Sequence, residues 1–276
     1  MQMLAIGQDL GSYRIEALLG AGGMGVVYLA RDQKLQRRVA IKIGDGARAG
    51  SGSARSLLQE ARTAAALNHP AICGIHEVGH VGGEPFIVME HVEGNALSAM
   101  VPPGGLSLET TLHYAIQIVD AVAHAHRHAI AHGDLKSANV MIEPDGRVKL
   151  LDFGLAVRWN ASDAHADVQT TRLRDLSSCV GTVPYMAPEL LQGARPCARS
   201  DIWAIGVMLY EMLAGFRPYR GATVYAIAAA ILAHDAPPLP HRIQAPVRAT
   251  VARALARRPD RRFASATELA GALDDL

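Results

Sequence analysis

The chain has 276 residues, half of them hydrophobic and only 5% aromatic, so it can bury a sizeable core resting mainly on Ala, Val, Leu and Ile. A formal net charge of +1 excludes the global basic field of a nucleic-acid binder, and no polybasic block marks contact with an anionic membrane. Three scattered cysteines, Cys73, Cys179 and Cys197, exclude a disulfide framework or a zinc site, and residues 1–10 lack a signal-peptide pattern, so a reducing, cytoplasmic setting is expected.

In chain order, residues 13–30 read as strands around a glycine cluster, followed by a strand over 38–43. Residues 44–53, rich in Gly, Ala and Ser, read as a loop. Residues 56–67 have helical spacing, with Leu57, Ala61, Ala64 and Leu67 near one face, and Pro70 ends the pattern. Strands are expected over 72–79 and 84–90. After Gly94 the character changes. A long helix is expected over 106–128, capped by Ser107, burying Leu112, Ala115, Ile116, Val119 and Val122. Further helices are expected over 202–213, 223–234 and 245–255. The apolar stretch 202–216 is short and interrupted by Glu211, so it reads as a buried helix and not a membrane span. A strand-rich first third and a helix-rich remainder predict an α+β protein with a cleft between two parts.

Residues Gly20, Gly22, Gly23 and Gly25 lie in a G-x-G-x-x-G pattern, which lets backbone amides approach a phosphate. The pattern continues as a strand (Val26, Val27, Tyr28, Leu29), whereas a dinucleotide-binding loop would open into a helix and a Walker loop would end in Gly-Lys-Ser/Thr. Lys42 follows within the apolar run Val39-Ala40-Ile41-Lys42, where a charge is costly unless paired, and Glu60 on the next helix is the suitable anion. A second cluster, His132-Gly133-Asp134-Leu135-Lys136-Ser137-Ala138-Asn139, precedes Asp152-Phe153-Gly154, with a strand pair over 140–142 and 148–150 between them. Asn139 and Asp152 offer hard oxygen ligands for Mg²⁺ with ATP. Asp134 suits a proton acceptor for an attacking hydroxyl, and Lys136 a cation beside a transferring phosphoryl group.

Carrying these motifs in order, the chain resembles the eukaryotic-like protein kinase family, most closely its bacterial serine/threonine branch, from about Tyr13 to Phe263. The resemblance implies a bilobal kinase fold: a small β-rich N-lobe with its αC helix and the hinge over residues 1–93, and a larger, mainly helical C-lobe over 94–276, forming one domain of about 13–265. It implies that the glycines cover the ATP phosphates, that Lys42 contacts the α- and β-phosphates, and that Glu60 pairs with Lys42. Val27 and Ala40 would cover the adenine, with Met141 beneath it, Met89 as gatekeeper, and backbone groups of Glu90 and Val92 bonding it at the hinge. Asp134 would orient the acceptor hydroxyl, and Asn139 and Asp152 would hold Mg²⁺, with Mn²⁺ as an alternative. Glu189 would pair with Arg262, and Asp201 would steady the catalytic loop. Lys136 and Thr182 imply transfer to serine or threonine, and the resemblance as a whole implies a protein substrate, autophosphorylation and a role in signal transduction. A homodimer through back-to-back lobes, as related bacterial kinases form, is a further partner the resemblance allows.

One position departs from the pattern. Gly133 stands where many members carry an arginine that gathers a phosphorylated activation-loop residue. Activity is therefore expected without strict need for phosphorylation at Thr170, Thr171, Ser177 or Ser178. Two rival readings are a pseudokinase, opposed by the complete set Lys42, Glu60, Asp134, Asn139 and Asp152, and a small-molecule phosphotransferase, opposed by Ala187-Pro188-Glu189 and the helix after it. His124 and His128 would share a helix face as zinc ligands might, but no third ligand accompanies them in sequence.

Overall fold

The computed structural model describes residues 4–22, 25–44, 52–81, 84–153, 157–158 and 181–276. The chain divides into two compact units, Met1–Asn68 with Cys73–Glu93, and His69–Ile72 with Gly94–Leu276.

The first unit is built on six strands, β1 (Asp9–Leu10), β2 (Tyr13–Gly22), β3 (Gly25–Asp32), β4 (Arg37–Ile43), β5 (Ile75–Val81) and β6 (Glu84–Glu90). They form one antiparallel sheet in the order β1-β2-β3-β4-β6-β5. Side chains alternate between faces with period two. Ile15, Tyr28, Val39, Ile41, Ile43, Phe86 and Val88 gather in one apolar cluster. On the opposite face Ile87 meets Leu57 and Ala61 of helix α1 (Gly52–Ala65). The sequence places this helix at 56–67. It stops at Ala65 because the last turn tightens: Ala66 and Leu67 donate to the Thr63 and Ala64 carbonyls. The strand expected from residue 72 begins at Ile75, since Ile72 leaves this sheet to bridge Leu150 in the second unit's own pairing.

The second unit begins with β7 (Asn95–Ala96), α2 (Leu97–Met100) and α3 (Leu108–Arg127). Ser107 caps α3 as expected, its Oγ accepting from the Thr110 amide at 3.0 Å. The buried face overlaps the expected one at Ala115, Val119 and Val122 but is shifted round the helix: Thr111, Tyr114 and Ile118 are also buried, Leu112 is half-buried and Ile116 is exposed. The helix carries so many apolar residues that two overlapping stripes fit the 3.6-residue period, and packing centred burial on the Thr111–Ile118 side of the shared residues. Strands β8 (Ile130–Ala131), β9 (Val140–Ile142), β10 (Val148–Leu150) and β11 (Val157–Arg158) follow, giving a β10-β9-β7 sheet and a β11-β8 pair.

Among the described residues five α-helices complete the unit: α4 (Pro188–Leu191), α5 (Ala198–Ala214), α6 (Val224–Ala233), α7 (Ala245–Ala254) and α8 (Ala266–Asp274). Helix α5 is buried on nearly every side, as its apolar composition predicts. At Gly206 a Cβ would lie 3.0 Å from the Ala254 Cβ and 3.1 Å from Leu255, so glycine there permits the close approach of α7. Among the described residues no helix is long and apolar enough to cross a membrane.

Candidate active site

The loop between β8 and β9 carries the catalytic candidates. Asp134 is 2% exposed, and a buried carboxylate is tolerable only with strong partners. Lys136 supplies the cation: its Nζ donates to Asp134 Oδ2 at 2.7 Å. The Thr182 hydroxyl donates to Asp134 Oδ1 at 2.8 Å and accepts from Lys136 Nζ at 2.9 Å. Asn139 Nδ2 donates to Asp134 Oδ2 at 3.1 Å and to the Asp134 carbonyl at 3.0 Å. Four predicted site residues therefore form one closed hydrogen-bonded group.

The loop is anchored from α5. Asp201 is buried, and its carboxylate accepts from the His132 amide at 2.9 Å and the Gly133 amide at 3.0 Å. His126 of α3 bonds the same carboxylate through Nε2 at 2.9 Å. Gly133 has φ +76°, a left-handed conformation that glycine adopts without a Cβ penalty. The His132 ring lies between two backbone segments: Nδ1 accepts from the Asp134 amide at 3.3 Å, which leaves Nε2 to donate to the Leu151 carbonyl at 3.1 Å.

Asn139 and Asp152 are brought together through backbone, since the Leu151 amide donates to the Asn139 carbonyl at 2.8 Å. The Asn139 amide nitrogen is spent on Asp134, which turns its Oδ1, a hard donor, to the task of accepting or ligating. Asp152 holds φ +64°, a left-handed conformation rare outside glycine. An amide oxygen and a carboxylate suit Mg²⁺.

In the sheet unit, register fixes a shared face. Residues directly opposite on neighbouring strands point to the same side. Lys42 pairs with Val27 and with Ile87, and Ala40 pairs with Met89. Val27, Ala40, Lys42 and Met89 therefore lie on the face that α1 covers at Ile87. Lys42 is 3% exposed. Glu60 lies on α1, with its side chain outside the described residues. Gly20 pairs with Val27, and Gly22 with Gly25, at the tip of the β2–β3 hairpin, while Gly23 lies outside the described residues. Glu90 closes β6, and its carbonyl receives the Cys73 thiol at 3.5 Å. Val92 follows that strand and is half-buried. Met141 sits mid-β9, paired with Lys149 and Ala96. Thr170, Thr171, Ser177 and Ser178 lie outside the described residues.

The expected Glu189–Arg262 pair forms, with two bonds at 2.6 and 2.8 Å. Sequence reading missed a second group. The Ser137 hydroxyl lies 2.8 Å from the Tyr185 hydroxyl, which donates to Glu211 Oε2 at 2.6 Å. The available signal was Glu211 itself, a lone charge within an apolar helix that had to find a partner. The histidine suspicion resolves differently. The His124 ring packs at a tilt against those of His128 and His69, at centroid separations of 4.6 and 5.1 Å, and His69 bonds Asp120. Among the described residues, no group of three or more His, Cys, Asp or Glu side chains is placed to hold a metal ion.

Comparison with known proteins identifies the family. A family model described as the protein kinase domain matches residues 13–271. The chain is 38% identical over 268 residues to serine/threonine-protein kinase PknB of Mycolicibacterium smegmatis, covering 93% of this chain and 41% of that protein. It is 37% identical over 270 residues to a probable serine/threonine-protein kinase of Streptomyces coelicolor, covering 94% and 39%. It is 35% identical over 229 residues to serine/threonine-protein kinase PrkC of Bacillus subtilis, covering 82% and 34%. The chain thus spans about two-fifths or less of the length of these curated relatives.

Proposed function

The chain belongs to the protein kinase family, in its bacterial serine/threonine branch, and on that premise we propose that it transfers the γ-phosphoryl group of ATP to serine and threonine hydroxyls of proteins. The observation that carries the reading is the Asp134 carboxylate with a β-hydroxyl, that of Thr182, already bonded to it beside Lys136. An acceptor hydroxyl of the same chemistry fits the same partners.

In this reading Asp134 orients the acceptor hydroxyl and takes its proton. Lys136 offsets charge that develops on the transferring group, and its bond to Thr182 keeps it aimed there. Asn139 Oδ1 and Asp152 would hold Mg²⁺, which would offset the charge of the phosphoryl group that ATP donates. Lys42 binds the α- and β-phosphates, and Glu60 fixes Lys42. Gly20, Gly22, Gly23 and Gly25 lend backbone amides to the phosphates. Val27, Ala40, Met89 and Met141 contact the adenine, and Glu90 and Val92 offer it backbone groups. Buried Asp201 holds the consecutive backbone amides of His132 and Gly133, so the loop bearing Asp134 is set before substrate arrives.

Activation-loop phosphorylation is dispensable in this proposal, because Gly133 has no cation with which to gather a phosphate. Autophosphorylation remains an activity of the same site. Incubation with γ-labelled ATP, Mg²⁺ and a protein acceptor, followed by phosphoamino-acid analysis, tests the reading. Label on serine and threonine is expected, with loss in Lys42→Ala and Asp134→Asn. Incorporation by the wild-type chain no higher than by these variants would sink it.

A further inference from the structure

The catalytic loop and the acceptor-side turn are clasped at two points. One 3₁₀ turn, Val183–Tyr185 with Thr182 at its start, carries both. At its first end Thr182 bonds Asp134 and Lys136. At its other end the Tyr185 hydroxyl meets Ser137, the residue directly after Lys136. Both Ser137 and Tyr185 are buried, at 1% and 6% exposure, so neither hydroxyl can exchange its partner for bulk water at no cost.

The proton assignment follows from the neighbours. Burial, and then the Glu211 carboxylate, push the Tyr185 phenol far above its ordinary pKa, so it stays protonated and donates to Glu211. Its oxygen is then the acceptor, and Ser137 is the donor. Glu211 is fixed in turn on the buried helix α5, with Arg217 3.9 Å from its other oxygen and 5.9 Å above the Tyr185 ring. The chain Ser137–Tyr185–Glu211 thus ties the catalytic loop to the turn, and the turn to the most deeply buried helix of the unit.

We infer that Ser137 is a positioning residue for acceptor binding: its hydroxyl, through Tyr185, holds the turn bearing Thr182 on the catalytic loop without any phosphate, the task for which position 133 offers no arginine. The inference rests on the kinase reading for its effect on turnover, but the clasp itself is testable without it.

The experiment compares wild type, Ser137→Ala, Tyr185→Phe and the double variant in two measurements. The first is steady-state transfer to a protein acceptor at varied acceptor and varied ATP. Losing one buried hydrogen bond is expected to raise the acceptor KM about tenfold in Ser137→Ala, with the KM for ATP within about twofold of wild type. Adding Ser137→Ala to Tyr185→Phe is expected to cost little more, since Tyr185→Phe, which loses the bonds to both Ser137 and Glu211, already removes the one that Ser137→Ala breaks. The second measurement is amide exchange of Tyr185 and Met186, whose N–H groups close the turn onto Thr182 and Val183 at 2.9 and 3.1 Å. Their exchange is expected to quicken about tenfold in Ser137→Ala, with the β9–β10 amides unchanged. A Ser137→Ala protein with lowered melting temperature but unchanged acceptor KM and unchanged turn exchange would overturn the inference, as would strictly additive losses. If the wild-type chain transfers no phosphate, the kinase reading falls, and the exchange rates alone then decide the clasp.

Discussion

Arg262 offers the sharpest test of how the helical unit is held together. Its guanidinium has five N–H donors, and all five are used. Nε donates to the Ala256 carbonyl at 2.8 Å, Nη1 to Glu189 Oε1 at 2.6 Å and the Arg199 carbonyl at 2.8 Å, and Nη2 to Glu189 Oε2 at 2.8 Å and the Arg257 carbonyl at 3.2 Å. The side chain is 0% exposed and lies 5.0 Å from the Trp203 ring centroid. Truncation in Arg262→Ala strands a mostly buried Glu189 carboxylate and empties the guanidinium volume, a loss of roughly 3–5 kcal/mol. At about 2–4 °C per kcal/mol the melting temperature should fall by roughly 6–20 °C. Arg262→Lys keeps the charge but has three donors and no fork, so at least two of the five bonds go; about 2 kcal/mol and roughly 4–8 °C are expected. Thermal unfolding by circular dichroism and chemical unfolding in urea measure both variants. Arg262→Lys melting with wild type would refute the claim that fork geometry, and not charge alone, joins Glu189 of α4 to the helices that follow.

Two further outcomes follow from the site and from the sheet. Thr182→Ser keeps the hydroxyl that bonds Asp134 and Lys136 and should retain transfer within about threefold, whereas Thr182→Val should lose roughly 10–100-fold in kcat at saturating ATP; equal rates for the two would refute the role of that hydroxyl. In the sheet unit, burial and then the Glu77 hydrogen bond push the Tyr13 phenol from 10.0 up to about 12. The folded chain therefore holds that proton where the unfolded chain has lost it, so the contribution is full below pH 10 and disappears as pH rises to about 12. Melting curves from pH 9 to 12 should show a shallower alkaline loss in Tyr13→Phe, and identical slopes would contradict the assignment.

The parts of this molecule legible in sequence are those written by neighbours in the chain. The glycine hairpin, the strand with Lys42, the 140–150 strand pair and the cap at Ser107 each declare themselves within a few residues. Contacts made across distance were legible only where a residue type was out of place or a family pattern supplied it. Thr182 reaches Lys136 over 46 positions, and no local rule announces that. Ser137 is an ordinary loop serine until the fold sets Tyr185 against it. The exposed Ile116 shows a different limit: periodicity defines that α3 has an apolar face but not which of two overlapping stripes the neighbours will cover. His126 meets Asp201 from 75 positions away, and nothing beside it in the chain announces that bond.

The most direct measurement is the initial rate at which phosphatase-stripped wild-type protein transfers labelled phosphate from Mg²⁺–ATP to an exogenous serine or threonine acceptor, run beside Asp134→Asn. The account predicts transfer that is linear from the first turnovers and abolished in the variant, because Asp134, Lys136 and Thr182 are already assembled in the absence of any phosphate. A wild-type rate equal to that of Asp134→Asn would contradict phosphoryl transfer by this site, and a lag that ends only as phosphate accumulates on the chain would contradict its assembly without a latch.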